Sequence, residues 1–426
     1  MAEDLDERGR VKDKTEAVSF STLLRSAAAT TAIPSRAAHR RGLWSRLDPG
    51  LKLALWLVVT LRVGLGLVGL LSIHVQPITS IGGNWTDLIL PGGDPWHQLL
   101  SMWQRYDALW YQQIATHGYA AGDSTVAFYP LYPLLSHITS LIVGGHIVTA
   151  ELLVSSVTFT IGMWLFYRVA RLDVGPIAAQ LAVLLTALFP AGFFFLAPFT
   201  ESLYLVLSLA AFWFARNGRP WAAGVAGFAA GLTRIQGIFL VLPLAYEYAR
   251  QRRQQGHRLL SVDSIDIFAA ALPGLGFLTV LAYDRLFVSV RTSPLGVEAN
   301  WGYRIALPWN AISNSVSHIV ALGDMVELLN LVSLLGFGLL ALWTARKLPV
   351  SYALYVLPYL ALLFTHDDYF SPLMSISRYV LVLFPCFIVL AMWLVRRPWL
   401  AAGTLVTSLL LQVTFFQYFI HFGFVA

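Results

Sequence analysis

The stretch SMWQRYDALWYQQIATHGY, residues 101–119, sets one carboxylate, Asp107, between Trp103 and Trp110. Trp96, Leu99, Trp103, Tyr106, Trp110 and Ile114 recur at intervals of three and four, the spacing of an interfacial helix over residues 95–117. On such a helix Asp107 is the i+4 neighbour of Trp103 and lies one turn before Trp110 and Tyr111. A carboxylate among aromatic rings at a membrane surface suits a sugar, whose hydroxyls need acceptors and whose C–H faces stack on indole. It also suits general-base work beside apolar surface. The plainer alternative is a solvated acid on the wet side of an amphipathic helix.

Three further groups could join it. Arg234, in GLTRIQG, and Arg378, in SISRYVLVLFP, stand at the edges of apolar runs, where a guanidinium can hold a phosphate by paired hydrogen bonds or can simply snorkel to the interface. Glu201, in APFTESLY, is an acid close to hydrocarbon, a costly place for a charge unless it serves as a first-turn residue favoured by the helix dipole. THDDYF puts His366, Asp367 and Asp368 side by side, as a hydrogen-bonding group near Arg378, a weak metal site or a solvated loop.

The elements that carry these residues must cross a bilayer. The 426 residues are 57% hydrophobic and 12% charged, with a mean hydropathy of +0.65, the composition of a polytopic membrane protein. A net charge of +6 comes from basic residues scattered in twos and threes, so lipid headgroups are the expected partners and nucleic acid is not. The single cysteine, Cys386, excludes disulfides within the chain and thiolate metal cages. Residues 1–48 are polar, charged and rich in Ala and Ser; they read as a disordered cytoplasmic tail ahead of a transmembrane domain at 49–426.

A crossing helix needs roughly 20 apolar residues. Clear spans are predicted at 51–73, 147–167, 265–288, 326–345, 350–365, 379–395 and 399–422. Shorter runs at 175–190, 199–215, 220–233 and 235–249 bring the expected total to about eleven. With the N terminus inside, every inner segment is basic: Arg40, Arg41, Arg46 and Lys52; Arg168 and Arg171; Arg216 and Arg219; Arg250, Arg252, Arg253 and Arg258; Arg346 and Lys347; Arg396 and Arg397. This holds only if the run from Phe128 to Val143, which begins FYPLYPLL, lies along the outer interface without crossing. Outer arginines are then few, namely Arg105, Arg234, Arg291, Arg304 and Arg378, while Trp301 and Trp309 fit an interfacial aromatic belt. No outer loop is long enough for a nucleotide-binding domain, and the sequence carries no phosphate-loop, dinucleotide or H-E-x-x-H motif.

In order and spacing, RYDALWYQQIATHGY…AFYPLYPLL, FTESLYLVLSLAAFWFARNGRPWAAGVAGFAAGLTRIQG and SISRYVLVLFP resemble the glycosylphosphatidylinositol mannosyltransferase II (PIG-V-like) family and its prokaryotic relatives, from about residue 51 to the C terminus. The resemblance implies an all-helical GT-C bundle with juxtamembrane helices in its first outer loop, acting as an inverting glycosyltransferase with no cofactor or metal. The donor it implies is a polyprenyl-phosphate sugar, mannose above all, and the acceptor a glycolipid or another molecule at the outer face. It maps the catalytic base onto Asp107 and carries over Glu201, Arg234 and Arg378 by their motif positions; the residue chemistry adds donor-phosphate binding at Arg234 and Arg378 and sugar or acceptor contacts at Trp103, Trp110, Tyr111, Glu201 and His366. The competing class is a lipid or sugar transporter, which is expected to carry mid-membrane ionisable residues and paired repeats; here the acids gather at the outer boundary and no repeat is evident.

Overall fold

The computed structural model describes residues 43–78, 94–120, 124–256, 264–288 and 302–425. Arg291, Trp301, Arg258 and the tail before residue 43 fall outside them. Contacts divide the chain into Met1–Asp48 and Pro49–Ala426. Of the first unit a single helical turn, Leu43–Arg46, is described.

The second unit is built almost wholly of helices. The first is α1 (Pro49–Val75), followed by the short α2 (Pro95–Ser101) and α3 (Asp107–His117). The predicted single helix over 95–117 is therefore broken. Arg105 explains why: its Nη1 donates to the carbonyls of Ser101 (2.8 Å) and Gln104 (2.9 Å), its Nε donates to that of Ile420 (2.9 Å), and it thereby ties off groups a continuous helix would have used. Tyr106 follows with φ of 52°, a conformation no helix contains. Trp103 and Asp107 consequently share no helix face.

α4 (Leu131–Ile142) begins within FYPLYPLL, at its first leucine. Its 12 residues reach about 18 Å, short of a hydrocarbon core of roughly 30 Å. Pro133 sits in its first turn, where no intrahelical N–H is lost. α5 (Ile147–Ala187) runs 41 residues, with Gly175 at φ 78° and Pro176 dividing it into two arms. The expected spans at 147–167 and 175–190 fall on those arms, but the connection expected at 168–174 is helical. Arg168 is accommodated there because its guanidinium lies over the rings of Trp164 (5.5 Å) and Trp213 (4.4 Å).

α6 (Glu201–Arg216), α7 (Pro220–Gly231) and α8 (Val241–Gln254) form the middle of the bundle. α7 presses against α9 (Leu272–Tyr283) through glycines: a Cβ on Gly276 would stand 2.2 Å from the Phe228 carbonyl, and one on Gly231 2.5 Å from that of Pro273. β1 (Tyr303–Ile305) and α10 (Pro308–Leu322) lead into α11 (Met325–Lys347) and α12 (Val350–Phe364). β2 (His366–Asp368) pairs antiparallel with β1, with Tyr303 opposite Asp368 and Ile305 opposite His366. The one-turn α13 (Ile376–Tyr379), α14 (Phe384–Leu394) and α15 (Pro398–Ile420) complete the chain.

Among the described residues, five helical segments are long and apolar enough to cross a membrane: Pro49–Val75, Ile147–Ala187, Ile265–Val288, Met325–Lys347 and Pro398–Ile420. Ile376–Val382 and Phe384–Leu394 form a sixth if joined, although they bend by 81° at their break, where Pro385 opens α14. The chain is a helical, multi-pass membrane protein. Its core is aromatic: Phe193, Phe194 and Phe199 pack against Phe419 of α15 with ring centroids 5.3, 5.5 and 6.2 Å apart.

Candidate active site

Four charged side chains meet where these elements converge. Asp107, the first residue of α3, accepts from Arg378 Nη1 at 2.6 Å. The Nε of Arg378 is 3.4 Å from Glu201 Oε1, and the same oxygen accepts from Arg234 Nη1 at 2.5 Å. Arg234 Nη1 also donates to Thr200 Oγ1 (3.2 Å), and its Nε donates to Gln236 Oε1 (3.3 Å). The sequence Asp107–Arg378–Glu201–Arg234 thus alternates in sign and balances two carboxylates with two guanidiniums. Tyr379 lies beside both arginines, its ring 5.2 Å from Arg234 Cζ and 5.1 Å from Arg378 Cζ.

Each member is placed by local structure. Asp107 owes its position to the break at Arg105 and Tyr106. Glu201 opens α6, where the helix N-terminus favours an acid. Arg234 lies in extended backbone just after α7, and a hydrogen bond from the Leu131 N–H to the Leu232 carbonyl (3.1 Å) ties that turn to the start of α4. Arg378 sits in the single turn of α13, entered through Ser375 at φ 67°. α11 holds this turn with buried polar groups: Asn330 accepts from the Ser377 N–H (2.9 Å), and Glu327 accepts from the Leu373 N–H (3.0 Å) and from Ser371 Oγ (2.5 Å). Two polar side chains inside an otherwise apolar run are thereby satisfied without water.

The quartet borders a cavity of about 1210 Å³ lined by Asp107, Trp110, Tyr111, Arg234, His366 and Arg378, among others. Trp110 stacks on Phe128 with centroids 5.7 Å apart. A second part of the wall is apolar, with Phe415, Tyr418, Phe422 and Phe424 from the end of α15 and beyond. Two residues expected at the site are not on this wall. Glu201 is 1% exposed and stands behind the arginines. Trp103 is buried in the core, its ring 4.9 Å from that of Phe416 and 4.8 Å from Arg62 Cζ.

The alternation of β2 sorts THDDYF. His366 and Asp368 line the cavity. Asp367, between them, accepts from Arg304 Nε at 2.8 Å and lies 3.4 Å from Asn314 Nδ2. His366 packs against the Tyr303 ring (4.9 Å), its Nε2 is buried without a hydrogen-bond partner, and burial pushes its imidazole down to about 4. Burial shifts the Asp368 carboxyl upward. Among the described residues no three His, Cys, Asp or Glu side chains converge as ion ligands. Sequence reasoning missed Thr200, Gln236 and Tyr379. Their only signal was adjacency, since each lies within two residues of Glu201, Arg234 or Arg378. Arg105, by contrast, is structural, its guanidinium spent on three carbonyls, and Arg304 belongs to the β1–β2 pair.

Residues 93–255 match the family model described as Mannosyltransferase (PIG-V). That segment holds Asp107, Trp110, Tyr111, Glu201 and Arg234, while His366 and Arg378 lie beyond it. Comparison with curated proteins gives no match. Among solved structures the chain resembles ArnT from Cupriavidus metallidurans bound to undecaprenyl phosphate, at 13% identity and a TM-score of 0.46, covering 86% of this chain and 76% of that one. It also resembles the Archaeoglobus fulgidus oligosaccharyltransferase in complex with zinc and sulfate, at 11% identity and a TM-score of 0.42, covering 84% of this chain and 53% of that one. On the family match the chain is a glycosyltransferase, similar over residues 93–255 to the PIG-V mannosyltransferases.

Proposed function

We propose that the chain transfers mannose from a polyprenyl-phosphate donor to a lipid-linked or other acceptor at the extracytoplasmic face, with inversion at the anomeric carbon. The observation that carries this reading is the charge quartet at the cavity, three of whose members, Asp107, Arg234 and Arg378, line the wall. It sets one carboxylate, Asp107, beside two guanidiniums that can take an anionic leaving group, with aromatic rings alongside for a sugar.

Asp107 accepts the proton of the acceptor hydroxyl while that oxygen forms its bond to the anomeric carbon. The bond from that carbon to the phosphate oxygen breaks in the same step, and its electron pair leaves on the polyprenyl phosphate. Arg378 and Arg234 offset the charge that develops there. Trp110, Tyr111 and His366 are placed to contact sugar or acceptor, and the apolar wall at the end of α15 suits the donor's hydrocarbon. In this reading about eleven helices lie in the membrane, the N terminus is cytoplasmic, and α2, α3 and α4 rest at the outer surface as juxtamembrane helices.

The test uses purified full-length protein in liposomes of extracted membrane lipids, which supply acceptor hydroxyls, and a synthetic short-chain polyprenyl-phosphate mannose. Release of free polyprenyl phosphate is expected from the native chain and is expected to vanish in Asp107→Asn. Movement of intact donor between leaflets with no release would replace the enzyme reading by a transporter.

A further inference from the structure

The roles proposed for Asp107 and Arg378 conflict in the geometry of the site. Arg378 Nη1 is spent on Asp107 Oδ2 at 2.6 Å, and a carboxylate oxygen engaged with a guanidinium is a poorer acceptor for a proton. The same guanidinium has its other edge incompletely used. Its Nε has no hydrogen-bond partner, although it lies 3.4 Å from Glu201 Oε1, and Glu201 Oε2 is also buried without one. The contact between Arg378 and Glu201 therefore holds a spare donor, Arg378 Nε, and a spare acceptor, Glu201 Oε2. Both arginines line the cavity, whereas Glu201 sits behind them.

We infer that Arg378 changes partner during the catalytic cycle. The arriving donor phosphate takes it from Asp107, Arg378 closes onto Glu201 at its inner edge, and the base is set free only in the donor-loaded site. The exchange itself moves no proton and changes only the pairing; Asp107 takes its proton later, from the acceptor hydroxyl. The consequence is a compulsory order, donor before acceptor. This inference rests on the proposed roles of Asp107 as base and Arg378 as phosphate ligand.

The experiment measures binding of polyprenyl monophosphate, which carries no sugar, to the full chain in lipid nanodiscs. Removing the competitor should help the probe: Asp107→Asn is expected to bind it at least tenfold more tightly than the native chain, and Asp107→Ser, at the same cavity-facing position, should do likewise. Loss of a nearby negative charge would tighten binding by itself, so the gain must also depend on Arg378. In an Arg378→Gln background, Asp107→Asn should then gain less than threefold. Should Arg378→Gln fail to fold, Asp324→Asn serves as the control, because it removes an equal charge from the cavity lining without releasing either arginine; its gain should be at least fivefold smaller than that of Asp107→Asn. Unchanged or weaker binding in both Asp107 variants, or a gain that persists without Arg378, overturns the inference while leaving the base assignment standing. Normal donor turnover by Asp107→Asn, or native probe affinity in Arg378→Gln, sinks the proposed roles themselves and the inference with them.

Discussion

Glu201 accepts from Arg234 at 2.5 Å and lies 3.4 Å from Arg378 Nε, with 1% of its surface exposed. Removing its charge leaves two guanidiniums confronting each other in a buried place, and breaking a buried pair in this way costs about 3–5 kcal/mol. Glu201→Ala is therefore expected to lower the melting temperature in detergent sharply, whereas an equal melting temperature would show the pair to be dispensable. His366 adds a pH dependence. Its folded imidazole titrates near 4 against an ordinary 6.5, so between those values the unfolded chain binds the proton and the folded chain does not. Stability must then fall as pH drops from 6.5 toward 4, by up to about 3 kcal/mol from this group. The upward-shifted Asp368 works in the opposite direction, gaining stability as it protonates. Melting curves across pH 4–7 should slope in the native chain and flatten in His366→Gln. The charged residues of the site were legible in the sequence because charge is rare in apolar runs and each one demands a reason. The position of Trp103 was not legible, since its reading assumed an unbroken 3.6-residue period and the break depends on Arg105 reaching the carbonyl of Ile420, 315 residues away.

Glycine decides how closely α7 and α9 approach, and Arg234 follows α7 by three residues. A Cβ at Gly231 would meet backbone on three sides, the Pro273 carbonyl at 2.5 Å, the Phe277 nitrogen at 2.8 Å and the Gly276 carbonyl carbon at 3.2 Å, none of which can swing aside. Gly231→Ala should thus push the helices apart at about 1–3 kcal/mol and displace Arg234, lowering donor turnover along with the melting temperature. Gly336, in α11, has nothing within 4 Å of its would-be Cβ, and Gly336→Ala should leave both readouts near native. Losing turnover equally in the two variants would uncouple this packing from the site. Most helices were recognisable from apolar length alone. What length could not show was how they end: the connection at 168–174 stays helical with Arg168 received by Trp164 and Trp213, and Ile376–Val382 meets Phe384–Leu394 at 81°, where Leu383 leaves helical geometry and Pro385 opens the next helix.

α6 joins two polar poles. Glu201 at its start stands behind the cavity arginines, and Arg216 at its end pairs with Asp173 at 2.6 Å and lies 4.0 Å from Glu247. Tyr352 OH donates to Asp173 (2.7 Å) and Ser351 Oγ to Glu247 (2.6 Å), so four helices are tied together there, about 22 Å from the first pole along the α6 axis. α11 runs between the same two regions. It starts at the cavity with Met325 and ends in Arg346 and Lys347, a rise of about 33 Å, close to the hydrocarbon thickness of a bilayer. The basic turn at Arg252 and Arg253 closes α8 beside the second pole, where Gln251 donates to the Ala215 carbonyl (2.6 Å). Lys and Arg gathered near helix ends are the signal of a cytoplasmic side, and on the proposed reading the cavity then faces outward. Cysteine labelling with a membrane-impermeant maleimide tests this in a Cys386→Ala background, the native thiol being buried. Met325 and Arg253 are both exposed, Met325 at the cavity and Arg253 at the end of α8. In sealed right-side-out vesicles Met325→Cys should react and Arg253→Cys should not, with the pattern exchanged in inverted vesicles. The opposite pattern would place the quartet in the cytoplasm, where a donor presented at the outer leaflet could not reach Arg378.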